Sequence, residues 1–251
     1  MANNNNLLEI KDLKLSFGNV RAVDGVNLTV KKGDLTGVIG PNGAGKTSLF
    51  NVITGYYPPD QGSIFFNGHE IGGSPSHKIA RSGIARSFQI TNIFPTLTTF
   101  ENVQIAYLVI RGKSFNTVSG FRKLDRDSVE EIMETVGLKE KANTLAGFLS
   151  HGDQRTLEIG ITLACKPKLL LLDEPTSGMS SWETNMVTDL IEKISREMGI
   201  TIMFVEHDMK VAFSVARNIV VMHQGQVFAQ GTPEDIRSNQ EVRKIYLGEE
   251  E

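Results

Sequence analysis

The chain of 251 residues contains one cysteine, Cys165. No intrachain disulfide can form, which fits a reducing cytoplasm and excludes a disulfide-stapled secreted scaffold. Beside Ala164 in an apolar helical stretch, Cys165 reads as a small buried residue rather than a nucleophile. Long hydrophobic runs are also missing. The longest, Leu169–Leu172 and Ile200–Val205, are strand-sized, well short of the roughly 18–20 apolar residues that span a bilayer. Residues 1–6, Met-Ala-Asn-Asn-Asn-Asn, lack the apolar core of a signal peptide, so export is not expected and the segment reads as a frayed tail. Nor is there an excess of positive charge. With 26 Lys and Arg against 29 Asp and Glu the formal net charge is −3, which gives no reason to expect nucleic acid as a partner. No internal repeat is visible. Hydrophobic residues at 40% and charged residues at 22% are ordinary for a soluble globular protein, and the length suits one large domain or two small ones.

The strongest positive signal is Gly40-Pro41-Asn42-Gly43-Ala44-Gly45-Lys46-Thr47, which fits the P-loop pattern G-x-x-x-x-G-K-[ST]. Chance alone would produce those four fixed positions in roughly one chain in a hundred of this length at ordinary residue usage. Glycines without Cβ let the backbone bend and bring its N–H groups close to phosphate oxygens. Lys46 adds a charge for the β- and γ-phosphates, and the Thr47 hydroxyl suits Mg²⁺. Leu35, Val38 and Ile39 read as a buried strand entering the loop. A helix through Ser48 to Ile53 leaves it and aims its positive end at the same phosphates.

Around this loop the pattern is α/β. Residues 7–30 read as antiparallel strands, with Val26, Leu28 and Val30 alternating with polar residues. Phe17, in Ser-Phe-Gly, is either a core aromatic or a ring on which a base stacks. Gly55–Gly62 reads as a loop, Ser63–Phe66 as a strand closed by Asn67-Gly68, and residues 77–88 as a short helix and a strand. Gln89 follows that strand and by itself reads as a solvated side chain. From Ile90 to Leu149 helical signals dominate. Ser128-x-x-Glu131 fits a capping box, Val129, Ile132, Met133 and Val136 share one face, and Gly137 is a suitable stop. Arg111–Arg126 reads as an exposed connection. Strand–helix alternation resumes near Ser150, with a late hairpin about His223-Gln224-Gly225 and a helix start at Thr232-Pro233. This pattern predicts an α/β core interrupted by an inserted helical subdomain.

In a parallel sheet, ligands sit at the carboxyl ends of the strands. Three sites fall at such ends: Gly40–Thr47, Asp173-Glu174 and His207. Asp173 suits a carboxylate that holds Mg²⁺ through water, and Glu174 a general base for the attacking water. Alone, the acidic pair would read equally well as a helix-capping turn. His207 is placed to contact a γ-phosphate. Leu149-Ser150-His151-Gly152-Asp153-Gln154 offers a second anion site, because Ser150 caps a helix whose amino-terminal N–H groups remain open.

Taken together, these residues resemble the ATP-binding subunits of ABC transporters, over nearly the whole chain and in the family's motif order. The resemblance implies a P-loop NTPase (RecA-like) core with an antiparallel β subdomain and an inserted helical subdomain. It would be a single ABC ATPase domain over residues 1–251, with core about 7–89 and 159–251 and helical subdomain about 90–158. It makes Phe17 the adenine-stacking aromatic, Gly40–Thr47 with Ser48 the phosphate cradle, and Gln89 a residue that reaches Mg²⁺ and the attacking water. It makes Asp173 and Thr47 the other metal-site residues, Glu174 the catalytic carboxylate and His207 the switch histidine. Ser150 and Gly152 would bind the γ-phosphate held by a second subunit. Two positions depart from the common pattern: His151 where the signature usually has Gly, and Ser180 where many relatives carry Asp.

The finer wording resembles the importers for branched-chain amino acids: His77–Arg81, Arg86–Gln89, Leu157–Ile159 and Val242–Glu249. Urea and amide importers and lipopolysaccharide exporters are the nearest alternatives. A soluble ABC ATPase without a transport role is a third, and a non-catalytic ATP-binding regulator a fourth. The resemblance implies ATP and Mg²⁺ as cofactors and a second ATPase subunit, identical or not, paired head to tail. It also implies integral membrane permease subunits docking near Gln89–Thr98, an indirect periplasmic or extracellular substrate-binding protein, and a peripheral place on the cytoplasmic face of the membrane.

Overall fold

The computed structural model describes residues 5–87, 93–111 and 126–247. It opens with a long hairpin, β1 (Asn6–Phe17) and β2 (Val20–Lys31), paired antiparallel from Asn6↔Lys31 to Phe17↔Val20. The alternation seen in sequence is the cause: Val26, Leu28 and Val30 point to the core while Asn27, Thr29 and Lys31 face water. The chain then runs through β3 (Leu35–Ile39), α1 (Lys46–Ile53), β4 (Gln61–Phe66) and β5 (His69–Glu70). β4 and β5 extend the hairpin into a four-stranded antiparallel sheet ordered β2-β1-β4-β5.

α2 (Ser76–Ser82) and β6 (Ile84–Arg86) follow, close to the predicted helix and strand. α3 (Thr99–Ile110) and α4 (Arg126–Thr135) form the helical layer, and most of the predicted connection between Arg111 and Arg126 lies outside the described residues. The capping box expected at Ser128 is not there, because α4 already includes Arg126 and Ser128 is inside the helix. The expected stop is observed. Gly137 sits at φ 71° and the Leu138 amide donates to Met133 O, which closes the helix end.

The second half comprises α5 (His151–Ala164), β7 (Leu169–Asp173), α6 (Ser181–Met198), β8 (Thr201–Val205), α7 (Met209–Val215) and β9 (Asn218–His223), then β10 (Gln226–Gly231), α8 (Pro233–Ser238) and α9 (Gln240–Leu247). Among the described residues six strands make the central sheet, ordered β10-β9-β3-β8-β7-β6, parallel except for β10 at its edge. β3, β7 and β8 are buried along their whole length, which explains their unbroken apolar runs. The two-residue period sorts their side chains between two cores. Leu169, Leu171, Met203 and Val205 pack with α1 and the antiparallel sheet. Leu170, Leu172, Ile202 and Phe204 pack on the other face, in a core shared with α3 to α7. α5 runs unbroken through residues 158 and 159, so one helix joins the helical layer to the sheet. Cys165 caps its carboxyl end, half-buried, with its thiol pushed up by burial.

Candidate active site

The carboxyl ends of β3, β7 and β8 lie side by side, as the parallel registers Val38↔Val205 and Asp173↔Val205 require. Residues 40–47 leave β3 and turn into α1. The loop is gripped from two sides. A Cβ on Gly40 would collide with the Met222 carbonyl oxygen of β9, and one on Gly45, at φ 98°, with the Ala22 carbonyl oxygen of β2. Gly45 is the N-cap of α1 and offers no side chain, so the first amides of the helix stay open to an anion. Lys46 is 5% exposed, and its Nζ donates to the carbonyl oxygens of Gly40 at 2.5 Å and Pro41 at 3.0 Å. Burial pulls its pKa below the ordinary lysine value, and the carboxylates of Glu174 and Asp173 pull it back.

β7 delivers the acidic pair. Asp173 is 1% exposed and its Oδ2 accepts from Arg86 Nη2 at 2.7 Å, while Arg86 Nη1 donates to Asn51 Oδ1 at 2.6 Å. Its Oδ1 is buried and has no hydrogen-bond partner among the described residues. Glu174 takes a left-handed backbone, φ 48°, rare for a residue with a Cβ. That turn aims its carboxylate across the strand ends, where Oε1 lies 2.6 Å from His207 Nε2. Two buried side chains hold the turn. Arg155 of α5 donates from Nη2 to the carbonyl oxygens of Asp173 at 3.1 Å and Glu174 at 2.8 Å, and from Nε to that of Pro175 at 3.4 Å. Glu206 accepts from the Thr176 amide at 3.1 Å and hydroxyl at 2.8 Å, and burial raises its pKa.

A cavity of about 500 Å³ opens over these groups, lined by Asn42 to Ser48, Glu174 and His207, with Val20, Arg21 and Ala22 on its far wall. Most of the predicted nucleotide residues therefore meet at one place. Gly40 and Pro41 stand behind the wall, as partners of Lys46. Phe17 does not line the cavity; it is 45% exposed, pairs across the hairpin with Val20, and packs edge-on against Tyr57 at 5.0 Å. Gln89 lies outside the described residues. Ser150 and Gly152 are elsewhere. Ser150 is the N-cap of α5, accepting from the Asp153 amide, and both residues line a separate crevice. Ser180, the second departure, is the N-cap of α6 in a reciprocal box with Glu183.

Among the described residues no group of three or more His, Cys, Asp and Glu side chains could hold a metal ion by itself. The donor set fits an ion that also takes phosphate oxygens. Asp173 Oδ1 is a buried, unpaired carboxylate oxygen, and Thr47 presents an exposed hydroxyl at the cavity wall. Arg86, Arg155 and Glu206 carry no role in the sequence reading. Each acts across 18 to 87 positions of chain. Only Arg155 left a local trace: with Glu158 it sets charges at i and i+3 on a helix whose neighbouring positions, Leu157 and Ile159, are apolar.

Two family models match: "ABC transporter" over residues 23–177 and "Branched-chain amino acid ATP-binding cassette transporter" over residues 226–251. The high-affinity branched-chain amino acid transport ATP-binding protein BraF of Pseudomonas aeruginosa is 43% identical, over 97% of this chain and 98% of the relative. The corresponding LivG of Escherichia coli is 38% identical over the same shares. A crystal structure of the ADP conformation of an ATP-binding cassette of an ABC transporter is 29% identical. It covers 97% of this chain and 99% of the other, with a TM-score of 0.84. The chain belongs to the ABC transporter family as one of its ATP-binding ATPase subunits.

Proposed function

We propose that this ATPase drives the import of branched-chain amino acids as one of two subunits, identical or not, paired head to tail beneath a membrane permease. The observation that carries the reading is the convergence of Lys46, Glu174 and His207 on one cavity, with the buried Asp173 carboxylate near enough to act on Lys46. Substrate class rests on the relatives BraF and LivG and on the family match at residues 226–251.

In this reading Lys46 exchanges its two carbonyl partners for β- and γ-phosphate oxygens, helped by the open amides of α1. Thr47 and Asp173 would hold Mg²⁺, with Gln89 as the third residue. When bound, the ion neutralises charge on those oxygens. Glu174 orients and deprotonates the attacking water. His207, already 2.6 Å from it, fixes the carboxylate and faces the γ-phosphate. Phe17 stacks on adenine. Ser150 and Gly152 complete the site of the other subunit, so ATP joins the pair and hydrolysis opens it.

The residue 7–89 and 159–251 segments act as the core and 90–158 as the helical subdomain. The permease docks near Gln89–Thr98, where Phe94 is 54% exposed; Ile93 packs against the core instead. A binding protein outside the cell reaches the ATPase only through the permease. Among the described residues no helix is long and apolar enough to cross a membrane, so attachment to the cytoplasmic face is by contact with the permease.

The test is Glu174→Gln, nearly the same size, which loses the base and about 10²–10⁴-fold in rate. It should keep ATP and accumulate as an ATP-bound dimer, alone or with its partner ATPase, by size-exclusion chromatography with light scattering. Ser150→Arg should prevent that dimer and leave monomer ATP binding intact. Near-normal turnover of Glu174→Gln, or unimpaired dimerisation of Ser150→Arg, refutes the shared-site mechanism. Leucine-stimulated ATP hydrolysis with the permease and binding protein in liposomes tests the substrate class, and stimulation by an unrelated solute instead would refute it.

A further inference from the structure

The amino-terminal ends of α5 and α6 meet at a crevice of about 100 Å³, lined by Ser150, Gly152, Asp153 and Glu183 among others. Glu183 belongs to α6. Its Oε2 accepts from the Ser180 amide at 3.0 Å and hydroxyl at 2.8 Å. Its Oε1 reaches the other helix. A Cβ built on Gly152 would stand 2.9 Å from Oε1 and 3.2 Å from Glu183 Cγ, so the carboxylate occupies the open face of that glycine. The bonds from the Ser180 hydroxyl and amide are the chief reason the Glu183 carboxyl lies below the usual carboxylate range. The Ser150 hydroxyl is also engaged: it donates to Asp153 Oδ2 at 2.7 Å, an oxygen that Lys141 Nζ also reaches at 2.5 Å. Both groups assigned above to the partner's phosphate therefore face a carboxylate of their own chain.

We propose that Glu183 is an internal stand-in for phosphate: in the open subunit its carboxylate holds the place at Gly152 that the partner's γ-phosphate takes on closure, and so sets the ATP concentration at which two subunits close. This rests on the shared-site reading. The carboxylate stands in the space over Gly152 that an incoming phosphate would enter, and two anions at one helix end repel. Glu183 need not leave α6, because its Ser180 bonds use the other oxygen. Side-chain rotation about those bonds vacates Gly152.

Glu183→Gln separates charge from structure, since a glutamine serves the capping box as well as a glutamate. In the Glu174→Gln chain with its partner ATPase, light scattering against ATP concentration should show half-maximal dimerisation at about two- to fivefold less ATP, the size of a charge–helix-end contact. ATP affinity of the monomer should not move, because the P-loop is elsewhere. A purely structural cap would not produce that split. The Gly152 amide proton should shift upfield in nuclear magnetic resonance spectra of Glu183→Gln, while the Asp153 amide, bonded to Ser150 Oγ at 3.2 Å, stays in place. An unchanged or higher ATP midpoint overturns the gate, and an unmoved Gly152 amide overturns the contact. If the Glu174→Gln chain forms no ATP dimer at all, the shared-site reading fails and the Gly152 amide alone decides whether Glu183 occupies this site.

Discussion

Replacing Arg155 with leucine should separate stability from catalysis. The guanidinium is 8% exposed and bonds three successive carbonyl oxygens, those of Asp173, Glu174 and Pro175, besides Glu158 Oε2 at 2.7 Å. Arg155→Leu deprives the Glu158 carboxylate, 5% exposed, of that guanidinium. Removing one member of a buried ion pair costs about 3–5 kcal/mol. At about 2–4 °C per kcal/mol for a chain of this size, the melting temperature should fall by about 6–20 °C. Removing both charges, in Arg155→Leu/Glu158→Leu, should recover most of that loss, because two packed apolar side chains replace the pair. Turnover should not recover. The turn at Glu174 still lacks its donors, and misplacing a catalytic group by about 1 Å is worth roughly a hundredfold. Calorimetry and steady-state ATPase rates on both variants decide it. A single variant that melts within about 2 °C of the parent means the pair contributes little. A double variant that regains turnover together with its melting temperature means Arg155 does not position Glu174.

Lys46→Ala should weaken ATP binding by about tenfold or more, the worth of one charge-assisted contact, and unchanged affinity by calorimetry would sink the phosphate-site reading. Glu206→Gln should raise the melting temperature at neutral pH. Burial raises the folded-state pKa of Glu206, so the folded state favours its neutral form; its ionisation costs stability as pH climbs from the ordinary value of 4.5 through the raised one. The gain should therefore vanish below about pH 4.5, where Glu206 is protonated folded or unfolded. A gain independent of pH would show that its charge is not the cause.

The parts legible in the sequence are those whose physics is local. The P-loop needs its glycines, lysine and threonine within eight positions, and the buried strands need only an apolar run. The strand-end sites at Asp173 and His207 followed from one topological rule. The box at Ser128 failed because a capping pattern does not say where a helix begins: the same pattern fits the interior of α4. Ser180 shows the converse. In the resemblance it reads as a departure from the usual aspartate; in the fold it is a working cap, bonded to the Glu183 amide and carboxylate. The clamps on the strand-end turn at Glu174 were illegible for a different reason. Arg86 reaches Asp173 across 87 positions and Glu206 reaches Thr176 across 30, and nothing in a window of sequence marks either end.

Those distant clamps explain how Glu174 can hold a backbone conformation that costs an L-residue on the order of 1 kcal/mol or more. Strain of that kind persists only where the surroundings over-determine it. Here the Glu174 amide is tied to Val205 O, its carbonyl to Arg155, its carboxylate to His207, and the next turn to Glu206. α5 supplies the most telling of these ties. Arg155 lies five residues from Ser150, about 7.5 Å along the helix axis. The same rigid helix thus begins at the Ser150 cap and, within two turns, grips the carbonyl oxygens on either side of the Glu174 α-carbon. A displacement of the amino-terminal end of α5 cannot leave Glu174 where it is unless Arg155 lets go, and letting go would leave buried guanidinium donors and backbone carbonyls without each other. The strained turn and the Ser150 end of α5 are therefore mechanically one unit: the Arg155 side chain bridges them in space, far apart though Ser150 and Glu174 stand in the chain.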